Sequence, residues 1–238
     1  AARVSRDLDL FHDTQTALES TWIADRAVLA SGGLEVRVLR ERPSFVEAQV
    51  TRGPDAVLMQ WVQDSAYRFF PLVTHAELGL VLHPFDLATN KVLALVGRLE
   101  PRDWIDVITC HERIQPLGCL AWAACGKDPG FGPASILEQA GRSGRYSHDE
   151  VRELSFSGPP PDAAALARTW HAMLTEAGDM VGRLPADEAG RCVLTDDGRL
   201  FRGTATDLAA ALEGRRLRFH AGRIRGAFPT VLHGSCEK

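Results

Sequence analysis

Asp7 and Asp9 stand one residue apart in Asp7-Leu8-Asp9-Leu10, and this strict alternation of charged and apolar residues is that of a half-buried strand. Leu8 and Leu10 then face a core, while the two carboxylates share the other face with roughly 6–7 Å between their Cα atoms. Carboxylates so placed can hold a divalent cation, or a pair, because hard cations such as Mg²⁺ take carboxylate oxygens together with substrate phosphates. Alone, alternating acids are usually just the wet face of a strand, so other groups have to support that chemistry. Lys91 and Arg98 lie seven residues apart on a helical stretch and so on nearly one face. On the next helical stretch Asp103 and Asp106 are neighbours at i,i+3, with Arg102 in i,i+4 reach of Asp106. A cationic face followed by an acidic one suits phosphate chemistry; it is equally the pattern of a solvated face whose carboxylates pair locally.

The elements that must position these groups follow from periodicity and punctuation. A helix is expected over 14–30, capped by Asp13 or Thr14 and stopped at Gly32-Gly33, with Leu18, Trp22, Ile23, Ala27 and Ala30 as its apolar face. Runs 34–39, 45–51 and 56–62, separated by Pro43-Ser44 and Gly53-Pro54-Asp55, read as an antiparallel meander. From Asp86 the period is helical. Asp86 is the expected cap of a helix over 87–99, and Pro101 opens a second that runs to about Arg113. Further helices are expected over 117–125, over 133–140, from Ser147 with its capping-box partner Glu150, and from Asp162 to about Val181. Ser155 to Pro161, with three consecutive prolines, reads as a hinge. Near the end, 191–195 and 199–203 flank Asp196-Asp197-Gly198, a hairpin signal, before a short helix over 206–212 and an extended 217–220. The fold class is therefore α+β: a small mixed sheet, a helical C-terminal half and a small β appendage.

Composition narrows the function classes. The 238 residues carry a net charge of −4, which argues against a protein that coats nucleic acid but leaves room for a local basic groove. Arg215, Arg216, Arg218, Arg223 and Arg225 with His220 form one such basic cluster. The five cysteines include no Cys-x-x-Cys pair, and no His-Glu-x-x-His spacing occurs, so neither a disulfide framework nor a zinc site is expected. No apolar run reaches membrane-spanning length and no signal peptide is evident, so the expected location is the cytoplasm, with no membrane partner. The chain begins at Ala1 only a few residues before its acidic strand, and a covering N-terminal segment is expected to be missing.

Arg3-Val4-Ser5-Arg6-Asp7-Leu8-Asp9-Leu10-Phe11, then Asp86-Leu87-Ala88-Thr89-Asn90-Lys91-Val92-Leu93-Ala94-Leu95, Arg98, and Arg102-Asp103-Trp104-Ile105-Asp106 occur in that order over about half the chain. Together they resemble the AbiEii/AbiGii toxin family of the nucleotidyltransferase superfamily. The resemblance implies a nucleotidyltransferase-like mixed sheet over 1–85, a helical part over 86–158 that completes the active site, and a helix with the β appendage over 159–238. It implies that Asp7 and Asp9 hold Mg²⁺ on a nucleoside triphosphate substrate, that Lys91 contacts phosphate or the active site, and that the Arg-Asp-x-x-Asp stretch contributes a catalytic acidic residue, Asp106 in preference to Asp103. Ser5, Arg98 and Asp103 become nucleotide-binding residues, RNA a possible acceptor and an antitoxin protein a possible partner. Two departures are visible: the family's Gly-Gly-Ser/Thr turn would fall before Ala1, and Gln60 stands where a third carboxylate is expected, which leaves Asp64 as the nearby metal ligand. A nucleotidyltransferase-like binding module without activity, and a phosphotransferase on the same fold, are the alternatives.

Overall fold

The hydrophobic alternation of the first strands and the apolar stripe of the first helix assemble into a layered unit. The structure, a computed structural model, describes residues 3–5, 7–64 and 66–224. These divide into two compact units, one of residues 4–67 and one of residues from 68 onward together with Arg3. Residues 68–85 thus belong with the helices, and the division falls at Tyr67/Arg68. The proline-rich 155–161 segment lies inside the second unit.

In the first unit β1 (Asp7–His12) leads through α1 (Gln15–Ser31) to β2 (Glu35–Arg42), β3 (Phe45–Arg52) and β4 (Asp55–Gln63). The sheet order is β1-β4-β3-β2, with β1 parallel to β4 and the rest an antiparallel meander. The parallel pair needs a long crossover, and the α1–β2–β3 excursion supplies it. The Thr14 hydroxyl caps α1, and Gly33, at φ 74°, turns the chain out of it. Leu18 and Trp22 bury against Val46, Ala48, Val50, Met59 and Trp61, and Leu8 and Leu10 join that core. Trp22 meets Trp61 edge-on at 4.7 Å, while the Trp61 indole N–H donates to Asp25 at 2.8 Å, so helix and sheet are held by both apolar and polar contact. The expected apolar face of α1 is narrower than its sequence suggests. Ile23 is 69% exposed, and Ala27 and Ala30 are exposed too, because the sheet covers only the Leu18/Trp22 side.

In the second unit a short hairpin, β5 (Val73–His75) and β6 (Gly79–Val81), precedes α2 (Pro84–Arg98), α3 (Pro101–Arg113), α4 (Leu117–Ala124), α5 (Pro133–Ala140), α6 (His148–Arg152) and α7 (Ala163–Arg183). Every residue of α4 is buried, which makes it the central helix of this unit. Gly118 lets α7 approach it closely: a Cβ there would stand 2.7 Å from the Met180 Cβ. Then follow β7 (Arg191–Thr195), α8 (Ala205–Glu213) and β8 (Leu217–Ala221), whose apolar residues share a cluster with Cys119, Trp122 and Met180. The hairpin expected over 191–203 is corrected in its second arm. The Asp196-Asp197-Gly198 turn forms, but the strand that pairs with β7 is β8, and 199–203 contributes only the isolated bridge Leu194↔Leu200. Cys110, Cys119, Cys125 and Cys192 are free thiols; Cys236 and Arg225 lie outside the described residues. No helix among the described residues is long and apolar enough to cross a membrane.

Candidate functional site

Register places the acidic pair. β1 sets Asp7 opposite Leu58 and Asp9 opposite Gln60, and Asp9 is exposed on the sheet face away from α1. The Ser5 hydroxyl donates to Asp7 Oδ1 at 3.2 Å, so two of the residues singled out in the sequence are in contact. The row continues across the sheet, since Gln60 pairs with Glu47 and Glu47 with Arg40. Gln60 Nε2 donates to Glu47 Oε1 at 2.9 Å. Asp64 is placed elsewhere. It follows β4, its N–H donates to the His12 carbonyl at 3.0 Å, and it lies four residues past Gln60, about 13 Å along the strand. The carboxylate that shares the row of Asp9 is Glu47, two strands away, or about 10 Å. The sequence did carry that signal. Counting outward from the Gly53-Pro54 turn sets Glu47 opposite Gln60.

Among the described residues no group of three or more His, Cys, Asp or Glu side chains is arranged to hold a metal ion. Asp7 and Asp9 alone are hard oxygen donors, and two carboxylates suit a Mg²⁺ that is shared with substrate phosphates rather than caged by protein. The site fits the ion in that sense.

The second unit holds the remaining candidates, and it binds them to one another. Asp106 accepts from Arg3 through Nε and Nη2, both at 2.7 Å, and from Lys91 Nζ at 2.9 Å. Burial works to raise its carboxyl pKa, but the Arg3 hydrogen bonds and the Lys91 ammonium outweigh it and hold it below the usual range. Arg102 instead reaches back to Glu100 at 2.6 Å. Asp103 is fully buried, takes one bond from Arg98 at 3.0 Å, and leaves Oδ2 without a hydrogen-bond partner. Burial raises its pKa in spite of Arg98, Lys91 and Arg102. Cys110 and Cys119 are pushed up to about 12 by burial, so neither thiol is a nucleophile near neutrality.

Asp86 is corrected from helix cap to buried anchor. His83 caps α2 by accepting from the Phe85 N–H, three residues before the cap the sequence suggested. Asp86 sits in the first turn, wholly buried, where it accepts from the Phe69 and Phe70 N–H groups at 2.9 and 3.0 Å and pairs with Lys127 at 2.9 Å. Burial lowers the His83 pKa against the pull of Asp86, and Nδ1, as acceptor of the Phe85 N–H, leaves the ring proton to Nε2. A cleft of about 750 Å³ opens beside His83 and Phe70, walled by the 194–203 turn. Of the basic cluster, Arg215, Arg216, Arg218 and Arg223 are exposed, Arg216 also bonding the Ala210 carbonyl at the end of α8, and His220 bonds the Phe69 carbonyl.

The sequence matches no protein-family model and no curated protein. Two solved structures are similar to it. One, provisionally named a nucleotidyltransferase, is from H. pylori, with 14% identity and a TM-score of 0.42 over 77% of this chain and 82% of that one. The other is JHP933 from Helicobacter pylori, with 14% identity and a TM-score of 0.39 over 76% of this chain and 78% of that one.

Proposed function

We propose that this protein is a Mg²⁺-dependent nucleotidyltransferase that moves a nucleotide from a nucleoside triphosphate to an RNA or protein acceptor. The observation that carries the reading is the pair Asp7 and Asp9, directed to one open sheet face by a β1 strand whose other face is in the core. In this reading both carboxylates hold Mg²⁺, which neutralises triphosphate charge and aligns the reacting phosphoryl group. Ser5 fixes the Asp7 carboxylate through its 3.2 Å hydrogen bond. The family resemblance assigns Lys91 to phosphate, and within the helical unit Asp106, itself held by Arg3, fixes the Lys91 ammonium. Arg98, paired with Asp103 at 3.0 Å, stays a nucleotide-binding candidate of the same reading. A toxin role with a neutralising antitoxin partner follows from the family resemblance and belongs to the same proposal.

A second reading, a nucleotidyltransferase-like binding module without activity, is favoured by Gln60 in the row of Asp9 and by Asp64 lying four residues beyond it. Parallel incubations with α-labelled and γ-labelled nucleoside triphosphates, total tRNA and Mg²⁺ separate the two. The expected result is metal-dependent label on RNA that is lost in Asp9→Ala. Label from the γ-position alone identifies a phosphotransferase, and absence of transfer with every nucleotide leaves the binding module.

A further inference from the structure

The open face of the sheet carries a second charged feature, at the edge opposite the acidic pair. A bulge in β2 between Val38 and Arg40 leaves Leu39 outside the pairing, so that Arg37 stands opposite Gln49, Arg40 opposite Glu47 and Arg42 opposite Phe45. In a regular strand Arg40 and Arg42 would join Val36 and Val38 on the core face; one extra residue turns both to the open face, where Arg37 already lies. They are exposed, and their partners on β3 advance by two residues, so their spacing is about 7 Å. None is neutralised by a carboxylate among the described residues: Arg37 bonds the Gln49 amide oxygen at 2.6 Å, and the Arg40 guanidinium lies 5.9 Å from the centre of the Phe45 ring. Glu47, the cross-strand neighbour of Arg40, is instead bonded by Gln60. Phe45 shares its row with Val62 and with Phe11, which is 39% exposed.

A line of evenly spaced guanidiniums beside aromatic rings is the arrangement that grips an unpaired strand, with phosphates on the cations and bases on the rings. A duplex hides its base faces and gains less from the rings. The acidic pair lies three strand spacings away, about 14 Å, beyond the screening length at physiological salt. We propose that Arg37, Arg40 and Arg42 with Phe45 bind the backbone and a base of single-stranded nucleic acid. The inference rests on the transferase reading for its purpose, as the surface that holds the acceptor strand, but the binding stands on the arginine register alone.

Fluorescence anisotropy with labelled oligo(U) and oligo(dT), without Mg²⁺ or nucleoside triphosphate, tests it independently of any transfer. Three phosphate contacts predict that R37Q/R40Q/R42Q lowers the magnitude of the log K against log salt slope by about 2, and weakens binding about a hundredfold near 0.1 M salt. Phe45→Leu, which keeps the site apolar, is expected to lose roughly fivefold or more with the slope unchanged. Circular dichroism and the unfolding midpoint verify that each variant is folded. Preference for oligo(U) assigns the site to RNA, and equal affinity assigns it to single strands in general; both support the proposal. No strand binding by the wild type, an unchanged slope in the triple variant, or equal loss of poly-glutamate binding with Phe45→Leu silent would overturn it, the last in favour of an acidic protein.

Discussion

The two units use the same residue types in opposite ways. On the sheet unit, Asp9 and the arginines of β2 are displayed on a surface, and the register of the strands decides where they point. In the helical unit, Asp86 and Asp103 are fully buried, and Asp106 is gripped by two cations. Charge inside a helical packing layer has to be matched by designated donors, or it costs several kcal/mol, and so it becomes architecture. Charge on an open sheet face costs little to leave in water. An acidic residue in a suggestive motif therefore says less about chemistry than the layer to which its side chain is directed.

The sharpest way to break this contrast is Asp86→Ala. It leaves the Lys127 ammonium, only 7% exposed, without its carboxylate and strips the Phe69 and Phe70 N–H groups of their acceptor. Urea unfolding should show a loss of about 3–5 kcal/mol. The double variant Asp86→Ala/Lys127→Met should recover part of that loss, because it removes the stranded charge. A loss below about 1 kcal/mol in the single variant would show that the pair is not architectural.

Asp106 and Asp103, three residues apart on α3, should respond to pH with opposite signs. The folded pKa of Asp106 is lowered, so its contribution is present above the unfolded value of about 3.9 and is lost as pH falls through the folded one. Asp106→Asn should cost about 1–3 kcal/mol at pH 7, and the difference from wild type should shrink in acid. For Asp103 the folded pKa is raised, so the penalty of its buried charge is absent below about pH 3.9 and grows as pH rises through the folded value. Asp103→Asn should therefore stabilise the protein at pH 7 by about 1 kcal/mol or less, with the gain fading toward pH 4. Thermal unfolding of both variants from pH 4 to 8 reads the two signs directly.

What was legible in the sequence was local. Pro101 at the start of α3 lacks the N–H that would be orphaned there, and the Ser147/Glu150 capping box and the Asp162 cap satisfy nearby backbone groups, so the residues that mark these helix starts are adjacent in sequence. The alternation that aimed Asp7 and Asp9 away from the core was legible for the same reason. What was not legible depended on partners far along the chain. An aspartate at a helix start reads as a cap, and only the return of Phe69, Phe70 and Lys127 to Asp86 reveals an anchor. Arg3 is 103 residues from Asp106, and no local rule pairs them in place of Arg102. The bulge at Leu39 inverts the facing of Arg40 and Arg42 with no glycine or proline to announce it.

The smallest effect on stability separates display from architecture most cleanly. Asp9 is exposed on a strand whose core contacts come from Leu8 and Leu10, so Asp9→Asn removes a charge without opening a cavity. Its unfolding free energy should stay within about 0.5 kcal/mol of wild type. The ligand response should not stay. A nucleoside triphosphate with Mg²⁺ at ten times its dissociation constant stabilises a binding-competent fold by about 1.4 kcal/mol through linkage alone, and that increment should appear in the wild type and vanish in Asp9→Asn. Because the variant is otherwise as stable as its parent, loss of the increment reports loss of a site rather than loss of structure. An equal increment in both proteins would mean that the nucleotide binds without the acidic pair, and the sheet face would then be as structural as the buried carboxylates of α2 and α3.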